Sequence, residues 1–305
     1  MSNIVVNKKV LIIGLGYIGT AIYDKLKHIY DIDSCDINND LATYKLDCFK
    51  LSKDILEKYN IVIYLAGNSS VGSCNEIADT LNNNVYAFDY ILNTIVSINN
   101  DWATNPIKVI YASSASVYGT GLGVNPMQLP SKELHPIAAP INFYDGSKQI
   151  CDIIANMYSN QLEIYGLRFG TVNGYSPKMR WDLIINSMYK SAMESGVINV
   201  VNPNIHRAIL FIDDLVDAMQ AIIDKNDGNG GIYNIASFND SIGNIAEYVS
   251  SYIDKSTKII TSFQPSVYDF CVSCSKFNNN IKPILFNRTP EQTTELIIKS
   301  IANEY

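Results

Sequence analysis

Tyr144 and Lys148 are a phenol and an ammonium four residues apart, within the segment 143–148. If this segment opens a helix, the two side chains lie one turn apart on the same face, with Cβ atoms about 5–6 Å apart. An ammonium at that distance stabilises a tyrosinate, so the phenol can accept a proton from an alcohol. The pair therefore predicts chemistry that interconverts an alcohol and a ketone. The same spacing also arises by chance in a chain with 20 tyrosines, so other elements must support this interpretation.

The composition is that of a globular protein without a nucleic-acid-binding surface. Of the 305 residues, 47% are hydrophobic and 17% are charged, and the net charge is −7. A negative charge without a Lys/Arg cluster argues against nucleic acid as a partner. Residues 1–9 are polar and lead into a short apolar run, so we expect no signal peptide, no membrane span and a cytoplasmic location.

The six cysteines have no spacing typical of a disulfide framework, and we expect reduced thiols. Cys271 and Cys274 form a CxxC pattern, but the segment 270–273 is predicted as a strand, in which residues three apart face opposite sides. This argues against a shared metal ion or a disulfide. The three histidines are scattered along the chain, and we predict no metal site.

A dinucleotide site is indicated by a strand, a glycine turn and a helix in that order. The apolar run 10–13 predicts a strand that is buried on both faces, and an amphipathic pattern over 20–27 predicts a helix. Between them lies a GxGxxG turn at 14–19. Its first glycine permits the tight bend, its second lets a pyrophosphate approach the backbone, and its third lets the helix pack on the strand. The amino terminus of the helix then faces the phosphates with free N–H groups.

Asp36 favours NAD over NADP as the dinucleotide. It follows a predicted strand at 32–35 and lies 22 residues after Gly14, where a carboxylate accepts hydrogen bonds from ribose hydroxyls and repels a 2′-phosphate. No arginine follows it directly. The alternative is that Asp36 is only a turn residue of the polar stretch 36–40.

Repeated strand-then-helix units predict an α/β fold with a Rossmann-type, doubly wound parallel sheet and a smaller C-terminal lobe. Further buried strands are predicted at 61–67 and 107–111, and Ser114 follows the second of these at the end where ligands bind. We expect a NAD-binding domain over 1–172, with later elements returning near 207–236. Residues 173–305 are then mainly a substrate-binding lobe.

Together these motifs resemble the extended short-chain dehydrogenase/reductase family, in particular its NAD-dependent nucleotide-sugar epimerase/dehydratase branch. The matching motifs are Gly16-Tyr17-Ile18-Gly19, Asp47, Leu65-Ala66-Gly67, Asn84-Val85, Ser113 to Gly119 and Tyr144 to Lys148. Ile13 stands where the family usually has its first glycine, so the turn is a variant. The cofactor-binding residues implied by the resemblance are Gly14, Gly16, Tyr17, Ile18, Gly19, Asp36, Asp47, Cys48, Leu65, Ala66, Gly67, Tyr144 and Lys148.

The resemblance implies that Ser114, Tyr144 and Lys148 are catalytic. Ser114 and Tyr144 would hydrogen-bond a sugar hydroxyl, and Lys148 would bind the nicotinamide ribose. Tyr144 would take the hydroxyl proton while the cofactor receives a hydride, which gives a 4-keto sugar. In the 4,6-dehydratases of the family an acid lies one or two positions after the active-site serine or threonine. Here these positions are Ala115 and Ser116, so we do not expect dehydration.

For the second half of the chain, the resemblance implies a nucleotide-diphosphate sugar as substrate. The substrate-binding residues suggested by the resemblance are Ser114, Thr171, Asp182, Leu183 and Arg207. The planar fork of Arg207 suits a diphosphate. We expect the segment 178–183 to open a helix and Asp214 to cap another over 215–223. Relatives often carry a further phosphate-binding arginine near 266–269, where this chain has none, and this leaves the nucleotide open.

We expect an epimerase that acts at C4 and keeps its NAD through the whole cycle. A nucleotide-sugar reductase, which exchanges its cofactor at every turnover, is the alternative within the family. A non-catalytic, NAD-bound regulatory or scaffold protein is the alternative of another class, and the presence of Ser114, Tyr144 and Lys148 argues against it. From the resemblance we also expect a homodimer packed through the helices that contain Asn84 and Tyr144.

Overall fold

The structure is a computed structural model that describes residues 8–101, 106–121, 125–228, 230–254, 256–265 and 268–303. The strands are β1 (Lys9–Ile13), β2 (Asp31–Cys35), β3 (Ile61–Tyr64), β4 (Lys108–Ser114), β5 (Ile164–Phe169), β6 (Thr171–Asn173), β7 (Val197–Val201), β8 (His206–Phe211), β9 (Gly231–Ile235), β10 (Phe238–Ser241) and β11 (Lys258–Ser262). The α-helices are α1 (Tyr17–Leu26), α2 (Lys53–Leu56), α3 (Ile77–Thr80), α4 (Ala87–Asp101), α5 (Phe143–Tyr158), α6 (Ile184–Ser195), α7 (Ile212–Asp224), α8 (Ile242–Ile253), α9 (Ser275–Asn280) and α10 (Pro290–Ala302). A π-helical segment, Leu81–Tyr86, leads into α4.

Six strands form the central sheet in the order β2-β1-β3-β4-β5-β9. β1 pairs in parallel with β2 and with β3, and β3 pairs in parallel with β4. All four residues of β3 are buried, as is usual for parallel sheets that are covered on both faces. The strand order reverses at β1, and ligands of such sheets bind beside this point of reversal. The predicted α/β, doubly wound parallel sheet is confirmed.

The chain divides into two compact units. The first contains the described residues within 1–113, 142–167 and 225–232, and the second contains those within 114–141, 168–224 and 233–305. The first unit carries the central sheet, apart from the last residues of β4, β5 and β9. The second unit contains a three-stranded sheet, β10-β8-β6, and a parallel pair, β11-β7.

Helix α4 is held in the core of the first unit by apolar residues at helical spacing. Phe88, Ile91 and Ile95 are fully buried in this core. The Phe88 ring contacts the rings of Tyr64 on β3 and Tyr111 on β4, at centroid distances of 5.2 and 4.8 Å. Aromatic pairs at these distances stabilise packing beyond their buried area. This packing fixes α4 against the middle of the sheet.

Two predicted elements are wrong. The segment 270–273 is not a strand, because only Val272 forms a bridge, with Ser131. The helix expected to open at 178 begins at Ile184, after Leu183 as its extended N-cap residue. All six cysteines, which lie within the described ranges, carry free thiols.

Asp214 does not cap a helix as expected. It lies inside the first turn of α7, where its carboxylate is paired with Arg288 and accepts a hydrogen bond from Ser237. This partly buried ion pair joins α7 to the segment before α10, so the acid is used for tertiary packing.

In the part of the chain that the structure describes, no three His, Cys, Asp or Glu side chains are grouped to hold a metal ion. No helix in those same ranges is long and apolar enough to span a bilayer.

Candidate active site

The glycine turn after β1 is shaped by close backbone contacts. A Cβ on Gly14, whose φ is +101°, would lie 2.6 Å from the backbone nitrogen of Ala66. A Cβ on Gly19 would lie 1.9 Å from the Gly14 carbonyl oxygen. Neither position therefore accepts a side chain. A Cβ on Gly16 meets nothing within 4 Å, so the space beside this residue is open to an approaching group. A pyrophosphate fits this arrangement, since Gly16 is also the N-cap residue of α1.

Gly16→Ala is expected to keep the fold and to weaken NAD binding at least about tenfold. The backbone of Gly16, with φ −78° and ψ −157°, is open to alanine, so the substitution should cost no more than about 1 kcal/mol of stability. Calorimetric titration with NAD measures the affinity. Gly14→Ala is the contrasting variant, which should lower the thermal midpoint sharply because its Cβ meets backbone. Unchanged NAD affinity in Gly16→Ala would contradict this account of the turn.

Asp36 connects the end of β2 to the glycine turn. Its Oδ2 accepts a hydrogen bond from the Leu15 N–H at 2.7 Å, and its Oδ1 accepts from the N–H groups of Asn38 and Asn39, both at 2.8 Å. The Asn39 amide in turn donates to the Leu15 carbonyl at 3.1 Å. Asp36 therefore is a turn residue. A carboxylate oxygen with a single donor still has a lone pair for a ribose hydroxyl, so the turn role and the cofactor role are compatible.

Asp36→Ala is expected to weaken NAD more than NADP, because it removes the acceptor for the ribose hydroxyls together with the charge that repels a 2′-phosphate. The affinities of both dinucleotides are measured by titration. Asp40→Ala is the matched control, since Asp40 is an exposed acid of the same turn region that pairs with Lys45. An unchanged NAD/NADP preference in Asp36→Ala would remove this residue from the cofactor site.

Asp47 and Cys48 follow β2 in a tight turn. The Asp47 Oδ1 accepts from the Phe49 N–H at 3.0 Å and caps the short helical turn Cys48–Lys50. The Cys48 thiol lies 3.7 Å from the same oxygen. Burial raises the pKa of Cys48 to about 11, so the thiol stays neutral at physiological pH. Contact of either residue with an adenine ring stays a prediction.

The turn after β3 is anchored by Asn84, which the sequence pattern indicated only as part of a helix start. The Asn84 Oδ1 accepts from the Asn68 N–H at 2.6 Å, and its Nδ2 donates to the Asn68 carbonyl at 3.1 Å. A Cβ on Gly67 would lie 2.5 Å from this Oδ1, so the turn closes on Asn84 without space for a side chain. The Asn84 Nδ2 also donates to Ser147 Oγ at 2.9 Å, and Ser147 donates to the Tyr144 carbonyl at 2.7 Å. Asn84 thus joins the backbone of Asn68, directly after the turn 65–67, to the helix that carries Tyr144 in one hydrogen-bond network.

Helix α5 opens one residue before Tyr144, as the sequence predicted. Asn142 is its N-cap and accepts from the Asp145 N–H at 2.9 Å. The Lys148 Nζ lies 5.8 Å from the centroid of the Tyr144 ring and donates to the Ala112 carbonyl at 3.0 Å. This bond to β4 holds the ammonium beside the phenol. An ammonium has three donors, so bonding to Ala112 leaves capacity for a ligand hydroxyl.

Ser114 lies in the second unit and begins a short helical turn, Ala115–Tyr118. Its Oγ accepts from the Ser116 N–H at 3.2 Å and lies 2.8 Å from the Ser116 Oγ. Ala115 is fully buried. No carboxylic acid stands at either of the two positions after Ser114.

Arg207, on β8 of the second unit, is a half-buried and oriented cation. Its Nη1 donates to the carbonyls of His206 and Tyr268, and its guanidinium lies 5.7 Å from the Tyr268 ring centroid and 5.9 Å from that of Phe270. Burial lowers the pKa of Arg207 to about 10, so it keeps its charge at neutral pH. Such a cation suits an anionic ligand.

The remaining predicted substrate residues also lie in the second unit. Asp182 is exposed and accepts from Arg180 Nε at 3.1 Å, a bond that lowers the pKa of the Asp182 carboxyl. Leu183 is the N-cap residue of α6, and Thr171 begins β6. The approach of any of these residues to Tyr144 stays a prediction. Of the late segment without an arginine, Ser266 and Val267 lie outside the described residues.

The sequence matches a known protein family over most of its length. The model of the NAD dependent epimerase/dehydratase family matches residues 10–236. The chain is 33% identical over 147 residues to an ADP-L-glycero-D-manno-heptose-6-epimerase of Fusobacterium nucleatum subsp. nucleatum, across 44% of this chain and 43% of that protein. The chain thus matches less than half the length of the curated relatives it resembles.

Solved structures share the fold. One is TunA, an NAD-dependent NDP-hexosamine 5,6-dehydratase involved in tunicamycin biosynthesis, with a TM-score of 0.81 at 18% identity over 97% of this chain and 98% of that chain. Another is the UDP-glucuronic acid 4-epimerase of Bacillus cereus in complex with UDP-glucuronic acid and NAD, with a TM-score of 0.79 at 19% identity over 97% of this chain and 100% of that chain.

The matched family segment contains the glycine turn, Asp36, Ser114, Tyr144 and Lys148. The resemblance to extended short-chain dehydrogenases/reductases is confirmed, and the cofactor is NAD. On the family match and the shared fold, the chain belongs to the NAD dependent epimerase/dehydratase family.

Proposed function

We propose that this protein is a nucleotide-sugar epimerase that oxidises C4 of the sugar to a ketone and reduces it again on the opposite face. The observation that carries the proposal is the arrangement of Tyr144 and Lys148 on the first turns of α5. The ammonium lies 5.8 Å from the ring centroid of the phenol and is held there by the Ala112 carbonyl. A phenol beside a fixed cation is a suitable base for a sugar hydroxyl.

The residues expected to hold NAD are those of the glycine turn, Asp36 and Lys148. When bound, NAD supplies the acceptor and the donor of a hydride. Tyr144 takes the proton of the C4 hydroxyl, and Lys148 stabilises the phenolate. Ser114 donates a hydrogen bond to the same sugar oxygen and orients it. In the return step Tyr144 gives the proton back to that oxygen, and the sugar leaves with inverted C4.

An epimerase is favoured over a dehydratase by the residues after Ser114. Elimination of water needs a group that takes a proton from one carbon and a group that gives one to the leaving hydroxyl. Ala115 is buried and apolar, and the Ser116 hydroxyl is 2.8 Å from Ser114 Oγ. Neither is a carboxylic acid, so the 4-keto sugar should be re-reduced rather than dehydrated.

A second candidate is epimerisation at C6 of an ADP-heptose. It is favoured by the 33% identity over 147 residues to the ADP-L-glycero-D-manno-heptose-6-epimerase. The segment 266–269 contains no arginine that could bind the phosphates of a UDP-sugar as in many relatives. This is compatible with another nucleotide. The same Tyr144 and Lys148 would then act on a hydroxyl at a different carbon.

The proposal is tested with a panel of nucleotide sugars, while the amounts of bound NAD and of NADH consumed are measured. The purified protein is analysed for bound NAD and then incubated with UDP-, GDP-, CDP- and dTDP-sugars and an ADP-heptose. An epimerase gives a product with the substrate's own mass and no net change in NAD. Consumption of NADH only with 4-keto sugars would make the protein a reductase, and a product lighter by one water would make it a dehydratase. Bound NAD without turnover on any sugar would favour the scaffold alternative.

A further inference from the structure

Tyr118 lies in the middle of a buried hydrogen-bond chain in the second unit. Arg168 Nη1 donates to the Tyr118 hydroxyl at 2.8 Å, and this hydroxyl donates to Asn234 Oδ1, also at 2.8 Å. The exposed fractions of Arg168, Tyr118 and Asn234 are 5%, 1% and 0%. The Arg168 guanidinium also lies 5.2 Å from the Tyr118 ring centroid. These three residues come from β5, from the turn after Ser114 and from β9.

In this series of hydrogen bonds, the chemistry of the groups determines which one donates at each step. A guanidinium only donates, so the Tyr118 oxygen must accept from Arg168 and use its single proton for Asn234. The Asn234 Nδ2 then donates to the carbonyls of Ser131 and Ser273, at 3.0 and 3.2 Å. Burial raises the pKa of Tyr118 to about 12, so the phenol keeps the proton it donates at neutral pH. These hydrogen bonds therefore have one arrangement, and no alternative exists in which a donor and an acceptor exchange roles.

The turn that Tyr118 ends is the one that Ser114 begins. Ser114 is its N-cap residue, and Gly119, with φ +61°, closes it by donating to the Ser116 carbonyl at 2.9 Å. Between them, the Val117 carbonyl accepts from the Ala138 N–H at 3.0 Å. A single turn of this kind has little freedom of its own, so an anchor at one end sets the orientation of the other.

We propose that Tyr118 is a positioning residue for Ser114, because its phenol, held between Arg168 and Asn234, fixes the turn that presents the Ser114 hydroxyl to the substrate. This inference rests on the proposed function, since it assigns a role within the same reaction. Tyr118 itself touches no reacting atom in this account. Its effect on turnover passes through Ser114.

A double-mutant cycle tests the proposal. Its members are the wild type, Tyr118→Phe, Ser114→Ala and the variant that carries both substitutions. In Tyr118→Phe the ring is retained, but Arg168 and Asn234 both lose their hydrogen bond to the Tyr118 hydroxyl. We expect kcat to fall about 10- to 100-fold, as misplacement of a catalytic group does, with KM changed less than about threefold. In the Ser114→Ala background the same change should have an effect of less than about threefold, because the group that it positions is gone. Equal effects in both backgrounds would overturn the proposal, and so would a kcat within about twofold of wild type.

Tyr59→Phe is the matched control for loss of a buried phenol. The Tyr59 hydroxyl donates to Asp33 at 2.7 Å and lies 3.1 Å from the Tyr44 hydroxyl, in the first unit. It should lower the thermal midpoint as Tyr118→Phe does, yet leave kcat unchanged. If Tyr118→Phe does not fold, Arg168→Lys provides the second test, because it keeps a cationic donor near the phenol, and the same cycle with Ser114→Ala applies. Absence of turnover in the wild type would mean that the proposed function has failed, whereas an active wild type with an additive cycle would refute only the role of Tyr118.

Discussion

Tyr144→Phe is expected to abolish measurable turnover, a loss of about 10²- to 10⁴-fold or more, while the protein keeps its fold and its NAD. Without the phenolic oxygen no group takes the proton of the sugar hydroxyl, so the alcohol cannot become a ketone. The aromatic ring stays beside the Lys148 ammonium, and Tyr144 is only partly buried. Removal of its hydroxyl should therefore change stability by less than about 1 kcal/mol.

Turnover of this variant is measured with the best substrate of the panel, and retained NAD is measured by mass spectrometry of the purified protein. Tyr158→Phe is the matched control, because Tyr158 is a tyrosine of the same helix whose hydroxyl donates to Asp89 at 3.2 Å. It should turn over substrate like the wild type. Wild-type-like activity in Tyr144→Phe would refute the mechanism.

Lys148→Met is expected to reduce kcat about 10²- to 10³-fold, the cost of removing a group that stabilises developing charge in a buried site. The methionine fills the same volume but carries no charge to stabilise a phenolate. It also leaves the Ala112 carbonyl without its donor at 3.0 Å, which should lower stability by about 1–3 kcal/mol. Single-turnover kinetics at saturating NAD separate the loss of catalysis from a loss of cofactor affinity.

Lys190, a half-buried lysine of the second unit, offers the control for this experiment. It pairs with Glu194 on α6 at 3.8 Å, and Lys190→Met should leave kcat unchanged. Lys148→Arg keeps the charge in another geometry and should recover part of the lost rate. If kcat of Lys148→Met stays within about threefold of wild type, Lys148 does not take part in the chemistry.

Local signals were sufficient to predict much of the first unit. The apolar run at 10–13 corresponds to β1, because strands of a covered parallel sheet bury both faces. The strand expected at 32–35 corresponds to β2, of which only Ser34 and Cys35 are buried. The segment 143–148 does open a helix, α5, which is the condition under which the spacing of Tyr144 and Lys148 places them on one face, and the structure adds Asn142 as its cap. By contrast, 270–273 has the composition of a strand but pairs through Val272 alone, since an apolar run by itself does not supply a neighbouring strand.

The missed features depend on contacts between residues far apart in the chain. Asn84 bonds to Ser147 across 63 positions, and Arg288 pairs with Asp214 across 74. No local sequence pattern predicts such pairs. Asn84 was therefore identified only as part of a helix start, and Asp214 only as a helix cap. The same holds for Tyr118, whose partner Asn234 is 116 positions away. Its motif was recognised by resemblance, but its bonds follow only from the fold.

The central claim is that Tyr144 and Lys148 support a transient oxidation at C4 of the sugar, followed by return of the same hydride to C4. The most direct test uses the nucleotide sugar identified by the panel, labelled with deuterium at C4 and incubated with the NAD-containing protein in ordinary water. The account predicts inverted product that keeps the deuterium at C4, together with a slowed turnover relative to unlabelled sugar. Deuterium lost to water, or inversion at another carbon with C4 untouched, would contradict it.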